Sequence, residues 1–75
     1  MALFFEVDVS KLSQDEKMRV YDILDKMALH FEEVAYAWLV DAFHFMTMDT
    51  PTPEEVRKRF MIPEICAIRP YVHPR

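Results

Sequence analysis

This chain of 75 residues contains no glycine. An average chain of that length would carry about five. Glycine alone adopts positive φ at no steric cost and lets backbone approach a ligand closely. Its absence excludes a Gly-rich phosphate loop, a dinucleotide-binding fingerprint and a Walker A loop. It also means that turns must be built from Ser, Asp, Thr and Pro next to capped helices, which need no positive φ. A single cysteine, Cys66, excludes an internal disulfide framework and a Cys-cluster zinc site. A lone cysteine agrees with a reducing compartment.

The rest of the composition bears on stability and partners. Hydrophobic residues make up 52% of the chain, with six Met, six Phe, three Tyr and one Trp. A domain of this size buries only ~60% of the surface its unfolded chain exposes. With neither disulfide nor metal, stability has to come from dense packing or from a partner subunit. The Met and aromatic content favours a homo-oligomer, a dimer or higher. Nine Lys and Arg against thirteen Asp and Glu give a net charge of -4. That sign argues against nucleic acid, whose phosphates call for a basic patch. No apolar run approaches ~18 residues, so no membrane span is expected. The start, Met1-Ala2-Leu3-Phe4-Phe5-Glu6, has no basic n-region and is broken at Glu6, unlike a signal peptide. The expected location is cytoplasmic, and residues 1–75 read as one domain.

Residues 2–9 alternate, with Leu3, Phe5, Val7 and Val9 to one side and Phe4, Glu6 and Asp8 to the other, which predicts a strand. Ser13 and Glu16 form a capping box for a helix over about 14–30, with Val20, Ile23, Leu24 and Met27 on its apolar face and Asp22/Lys26 outside. Residues 34–48 admit two readings. One is a single helix over 33–47, since Ala35, Ala37, Leu39 and Ala42 are good helix formers. The preferred reading is two strands, because Val34, Tyr36, Trp38 and Val40 alternate, as do Phe43, Phe45 and Thr47. Asp41-Ala42 would then be a hairpin tip that lacks the usual Gly or Asn. Thr52, Pro53 and Glu55 give an N-cap, a first-turn proline and a second capping box for a short helix to Phe60, with Pro63 beyond it. Ile65 to Arg69 predicts a last strand, and Pro70 suits its end or a sheet edge.

The order β-α-β-β-α-β is the ferredoxin-like pattern of the α+β class: a four-stranded antiparallel sheet in spatial order 4-1-3-2 with both helices on one face. The other face is bare and needs a cover, a second subunit or a ligand.

With this order, Leu3-Phe4-Phe5-Glu6-Val7, Tyr36-Ala37-Trp38-Leu39-Val40-Asp41, Phe45-Met46-Thr47-Met48-Asp49-Thr50-Pro51 and Ile65-Cys66-Ala67-Ile68-Arg69-Pro70-Tyr71 resemble the segments of the dimeric α+β barrel superfamily. That group includes muconolactone isomerase, whose C-terminal end the His73-Pro74 tail is similar to. The resemblance implies a homodimer whose two sheets face each other around a ligand cleft.

The bare face is where chemistry would sit. It should hold Phe4, Glu6 and Asp8 on the first strand and Arg69 on the neighbouring last strand. Glu6 or Asp8 opposite Arg69 forms either a structural ion pair or a clamp for a substrate carboxylate. His44, in phase with Met46 and Met48, pairs with Glu6 as a candidate proton-transfer couple or stands as a hydrogen-bonded strand histidine. Tyr36 and Trp38 share a face, ready to stack on a planar ligand or on another subunit. The spacing of His30, His44 and His73 gives no metal site, and no cofactor is expected. Cys66 among apolar neighbours reads as a small hydrophobe. Arg57-Lys58-Arg59 beside Glu54 and Glu55 is a solvated helix face.

Three functions follow from these residues. One is a homodimeric barrel that binds an apolar or aromatic small molecule, isomerase-, cyclase- or oxygenase-like in kind. The second is a protein-interaction, inhibitor or regulatory module without chemistry. The third, an RNA-binding module with Phe4 as a stacking platform, is opposed by Glu6 and Asp8 beside it.

Overall fold

A computed structural model describes residues 3–32, 34–48 and 52–71. The His73-Pro74 tail and the Asp49-Thr50-Pro51 join lie outside the described residues. The elements are β1 (Leu3–Asp8), α1 (Gln14–Met27), β2 (His30–Phe31), a 3-10 turn (Ala37–Leu39), β3 (Ala42–Thr47), α2 (Pro53–Arg59) and β4 (Ile68–Pro70). The four strands form one sheet in the order β2-β3-β1-β4, and all three pairings are antiparallel. The class is α+β.

Alternation places β1 as expected. Phe5, Val7 and Val9 are buried, while Phe4, Glu6 and Asp8 are half-buried on the opposite side. β3 repeats the pattern with Phe43, Phe45 and Thr47 inward and Ala42, His44 and Met46 outward. On the inward side Val20 and Leu24 of α1, and Val56 and Phe60 at α2, complete one core with these strands. Phe45 links the layers, stacking on Phe5 and meeting Phe60 edge to face at 5.4 Å. Residues of both helices therefore share one core with the inward row of the sheet, and among the described residues no helix residue joins that core from the outward row.

The helix starts follow the sequence. Ser13 Oγ accepts from the Glu16 N–H, and the Glu16 carboxylate accepts from the Ser13 N–H. Thr52 Oγ1 accepts from the Glu55 N–H, with Pro53 in the first turn, but the expected second capping box is not completed, since the Glu55 carboxylate accepts from the Thr52 hydroxyl and not from the Thr52 N–H. Asp22 and Lys26 pair at 3.1 Å. β4 lies at the sheet edge, where Pro70 is expected to sit.

The ends of α1, β2 and β4 depart from expectation. α1 stops at Met27, because Ala28 turns extended and the chain joins β3 at once, with Leu29 N–H donating to the Met46 carbonyl. The second strand is thus His30–Phe31 and not residues 34–40. Val34 to Val40 is neither the strand nor the long helix weighed for it. Its centre is the 3-10 turn, with Leu39 N–H donating to the Tyr36 carbonyl. Asp41-Ala42 is not a hairpin tip, since β3 begins at Ala42 and Asp41 accepts from the Val9 N–H.

Lys17 ties that stretch to α1. It is 7% exposed, and its Nζ donates to the carbonyls of Val40 (2.7 Å) and Trp38 (3.3 Å). A buried ammonium needs such acceptors, and it clamps the turn onto α1. The last strand also begins later than expected, at Ile68. Ile65 and Cys66 lie in a turn closed by Cys66 N–H to the Pro63 carbonyl, and Cys66 is buried there.

Among the described residues, glycine's absence is felt at one position. α2 ends with Met61 at φ 52°, in the left-handed region. Ile62 N–H donates to the Arg57 carbonyl and Met61 N–H to that of Lys58. This is a Schellman closure, whose left-handed residue is usually glycine.

Candidate functional site

The open sheet face collects charge along one cross-strand row. Register sets Glu6 opposite His44 on β3 and opposite Arg69 on β4. Residues directly opposite in an antiparallel pair share a face, so parity alone brings the three together. Arg69 Nε lies 2.9 Å from Glu6 Oε1, and His44 Nε2 lies 3.0 Å from Glu6 Oε2. The row continues on the far side of His44, whose Nδ1 is 3.5 Å from Glu32 Oε2. Tyr71 lies on the imidazole, with ring centroids 3.8 Å apart and planes 13° from parallel. Its backbone extends the edge, Tyr71 N–H donating to the Phe4 carbonyl at 2.9 Å.

The expected couple of Glu6 and His44 is therefore in contact, and Arg69 joins it. Phe4 shares the face. Asp8 does too, but its carboxylate serves the local turn: Ser10 Oγ donates to it at 2.6 Å and Ser10 N–H at 2.9 Å. These two bonds hold the Asp8 carboxyl below its ordinary value. Tyr36 and Trp38 are not on this face. They meet edge to face at 5.5 Å in the 3-10 segment beside α1, both exposed. The strand that would have carried them onto the open face does not exist.

Two members of the row were missed, Glu32 and Tyr71. For Tyr71 the signal lay in period-two counting from Arg69. Tyr71 follows Arg69 by two residues, and Glu32 follows His30 by two, with Glu32 N–H donating to the His44 carbonyl. Glu32 became visible only once β2 was placed at 30–31.

The arrangement limits its own chemistry. Glu6 uses both oxygens, and each ring nitrogen of His44 faces a carboxylate. A neutral imidazole donates from one nitrogen and so bonds one of its two carboxylates, whereas an imidazolium donates to both. A general base needs a nitrogen within reach of a substrate proton, and here each ring nitrogen of His44 already faces a carboxylate, Glu6 at 3.0 Å and Glu32 at 3.5 Å. Arg69 is mostly exposed, and its Nε donates to Glu6. Among the described residues no group of three His, Cys, Asp or Glu side chains is placed to hold a metal ion. No described helix is long and apolar enough to cross a membrane.

Hollows in the surface lie off this row. One, between the C-terminal ends of both helices, is lined by Met27, Leu29, Thr47, Met48, Arg59 and Phe60. Another is bounded by Glu54, Arg57, Lys58 and Glu64. Cys66 stands apart from all of these, and burial pushes its thiol up. No protein-family model matches the chain, and neither a curated protein nor a solved structure matches it.

Proposed function

We propose that the chain is a binding domain of ferredoxin-like α+β type that works as a homodimer through its open sheet face, and that it does not act as an acid–base catalyst. The observation that carries this reading is the row Arg69–Glu6–His44–Glu32 capped by Tyr71. It is closed on itself, lying on the sheet face opposite the core that the described helices share. Read from the β4 edge, the sheet order runs β4-β1-β3-β2, which supports the ferredoxin-like assignment. A preassembled polar row flanked by Phe4, Met46 and Tyr71 has the make-up of an interface centre, where charges are tolerated when already paired. An apolar or aromatic small molecule fits between two such faces, its polar end toward the free nitrogens of Arg69.

Sedimentation equilibrium tests this. The expected result is a species of twice the 9.0 kDa chain mass. Met46→Lys, on the open face beside the ion row but not one of its paired residues, should give a folded monomer. A wild-type monomer at tens of micromolar, or a dimer indifferent to Met46→Lys, would overturn the proposal. The exposed Tyr36–Trp38 pair with Leu39 beside it favours a second reading, a module that docks on a different protein through the 3-10 segment. A monomer would point there.

A further inference from the structure

The hollow between the helix C-termini joins three stretches that sequence distance keeps apart, Met27 with Leu29, Thr47 with Met48, and Arg59 with Phe60. Met27 ends α1, Leu29 precedes β2 and Met48 follows β3, and all three are exposed, at 45%, 57% and 52%. Large apolar side chains exposed together in one concavity mark a binding surface more than scattered ones do. The walls rest on buried Phe60 and Thr47. The volume is about 160 Å³, and ~150 Å³ of apolar space is enough to hold a benzene ring.

One charged side chain, Arg59, stands at this hollow. It forms no ion pair with any described residue. Nor is it needed to finish α2. The carbonyls of Val56, Arg57 and Lys58 already accept from the N–H groups of Phe60, Ile62 and Met61. A guanidinium without an ion pair among the described residues, beside an apolar hollow, matches a ligand with an anionic head and a short apolar body.

We propose that this hollow binds a small apolar carboxylate, its hydrocarbon part against Met27, Leu29 and Met48 and its carboxylate on Arg59. The site is separate from the sheet face and does not depend on dimer formation. Flexible methionines suit such a ligand, because they repack around different acyl or aryl shapes.

The test is a titration of the full chain, labelled at its methionine methyls, with sodium octanoate and separately with 1-octanol. Octanoate should shift the Met27 and Met48 methyl resonances saturably and leave Met46, on the open sheet face, unmoved. It should bind more tightly than octanol. Arg59→Gln should remove that preference by weakening octanoate about three- to fivefold, the size of a partly exposed charge pair. Arg59 is exposed at the end of its helix, so the variant's unfolding midpoint should match the wild type and loss of fold can be recognised. Shifts at Met46 without Met27 and Met48 would place the ligand on the sheet face and overturn the proposal. So would equal binding of octanoate and octanol, or the absence of saturable shifts at millimolar octanoate.

Discussion

Replacing Met61 by glycine should make this protein more stable. Met61 holds φ 52° at the end of α2, where its N–H and that of Ile62 close the helix onto the carbonyls of Lys58 and Arg57. A residue with a Cβ sits in the left-handed region at a cost of about 1–2 kcal/mol. Glycine removes that cost but loses more freedom on folding, about 0.5–1 kcal/mol. The side chain is 68% exposed, so deleting it sacrifices little burial. The net gain is about 1 kcal/mol. For 75 residues, an unfolding entropy near 2.1 cal/mol/K per residue converts that gain into a rise in Tm of about 6 °C. Thermal unfolding followed by circular dichroism, with a urea titration beside it, measures both quantities. Met61→Ala is the control, since it removes the side chain and keeps the Cβ, and it should stay near the wild type. If Met61→Gly were no more stable than Met61→Ala, the left-handed cost would not be what this helix end bears.

Two further outcomes follow from the contacts. Lys17→Met leaves the Trp38 and Val40 carbonyls without their donor, which should cost about 1–3 kcal/mol in urea unfolding; the emission of Trp38, the sole tryptophan, should shift as the 3-10 turn loosens. The Asp8 carboxyl is held below its ordinary value by Ser10, so it contributes stability that is present above the unfolded pKa near ~3.9 and lost as pH falls through the lower folded value. Ser10→Ala should raise the Asp8 pKa in an NMR titration and flatten the acid limb of stability, and an unchanged titration would contradict the Ser10 bonds as its cause.

Much of the candidate site was legible before any tertiary contact was known. Period-two alternation in residues 3–9 and 43–47 put Phe4 and Glu6 on one face of their strand and set His44 opposite to Phe43 and Phe45 on its own, because the parity of a strand does not depend on where it begins or ends; Arg69 joined them through the expected pairing of the last strand with the first. The caps at Ser13 and Thr52 were legible for a similar reason, being closed within four residues of chain. Residues 34–40 were not. Their alternation fits a strand, and their alanines fit a helix. Neither pattern registers a lysine 21 residues from Trp38 that takes its backbone carbonyl as an acceptor. Tyr36 and Trp38 left the site with that strand, and Glu32 entered it with the two-residue strand that replaced it.

The missing glycines show the same division. The sequence by itself determined that no Gly-rich phosphate loop exists and that most turns would be built with capping side chains, because both depend on residue types at short range. It did not determine where a positive φ would be imposed on a residue that resists it. Packing decided that: Phe60 and Ile62 on either side of Met61 are both buried in the core, and a chain that buries both must reverse between them. Which strand β1 lies beside, and so which charges meet on the open face, is likewise a matter of long-range register, where burying one face of the sheet outweighs any local preference.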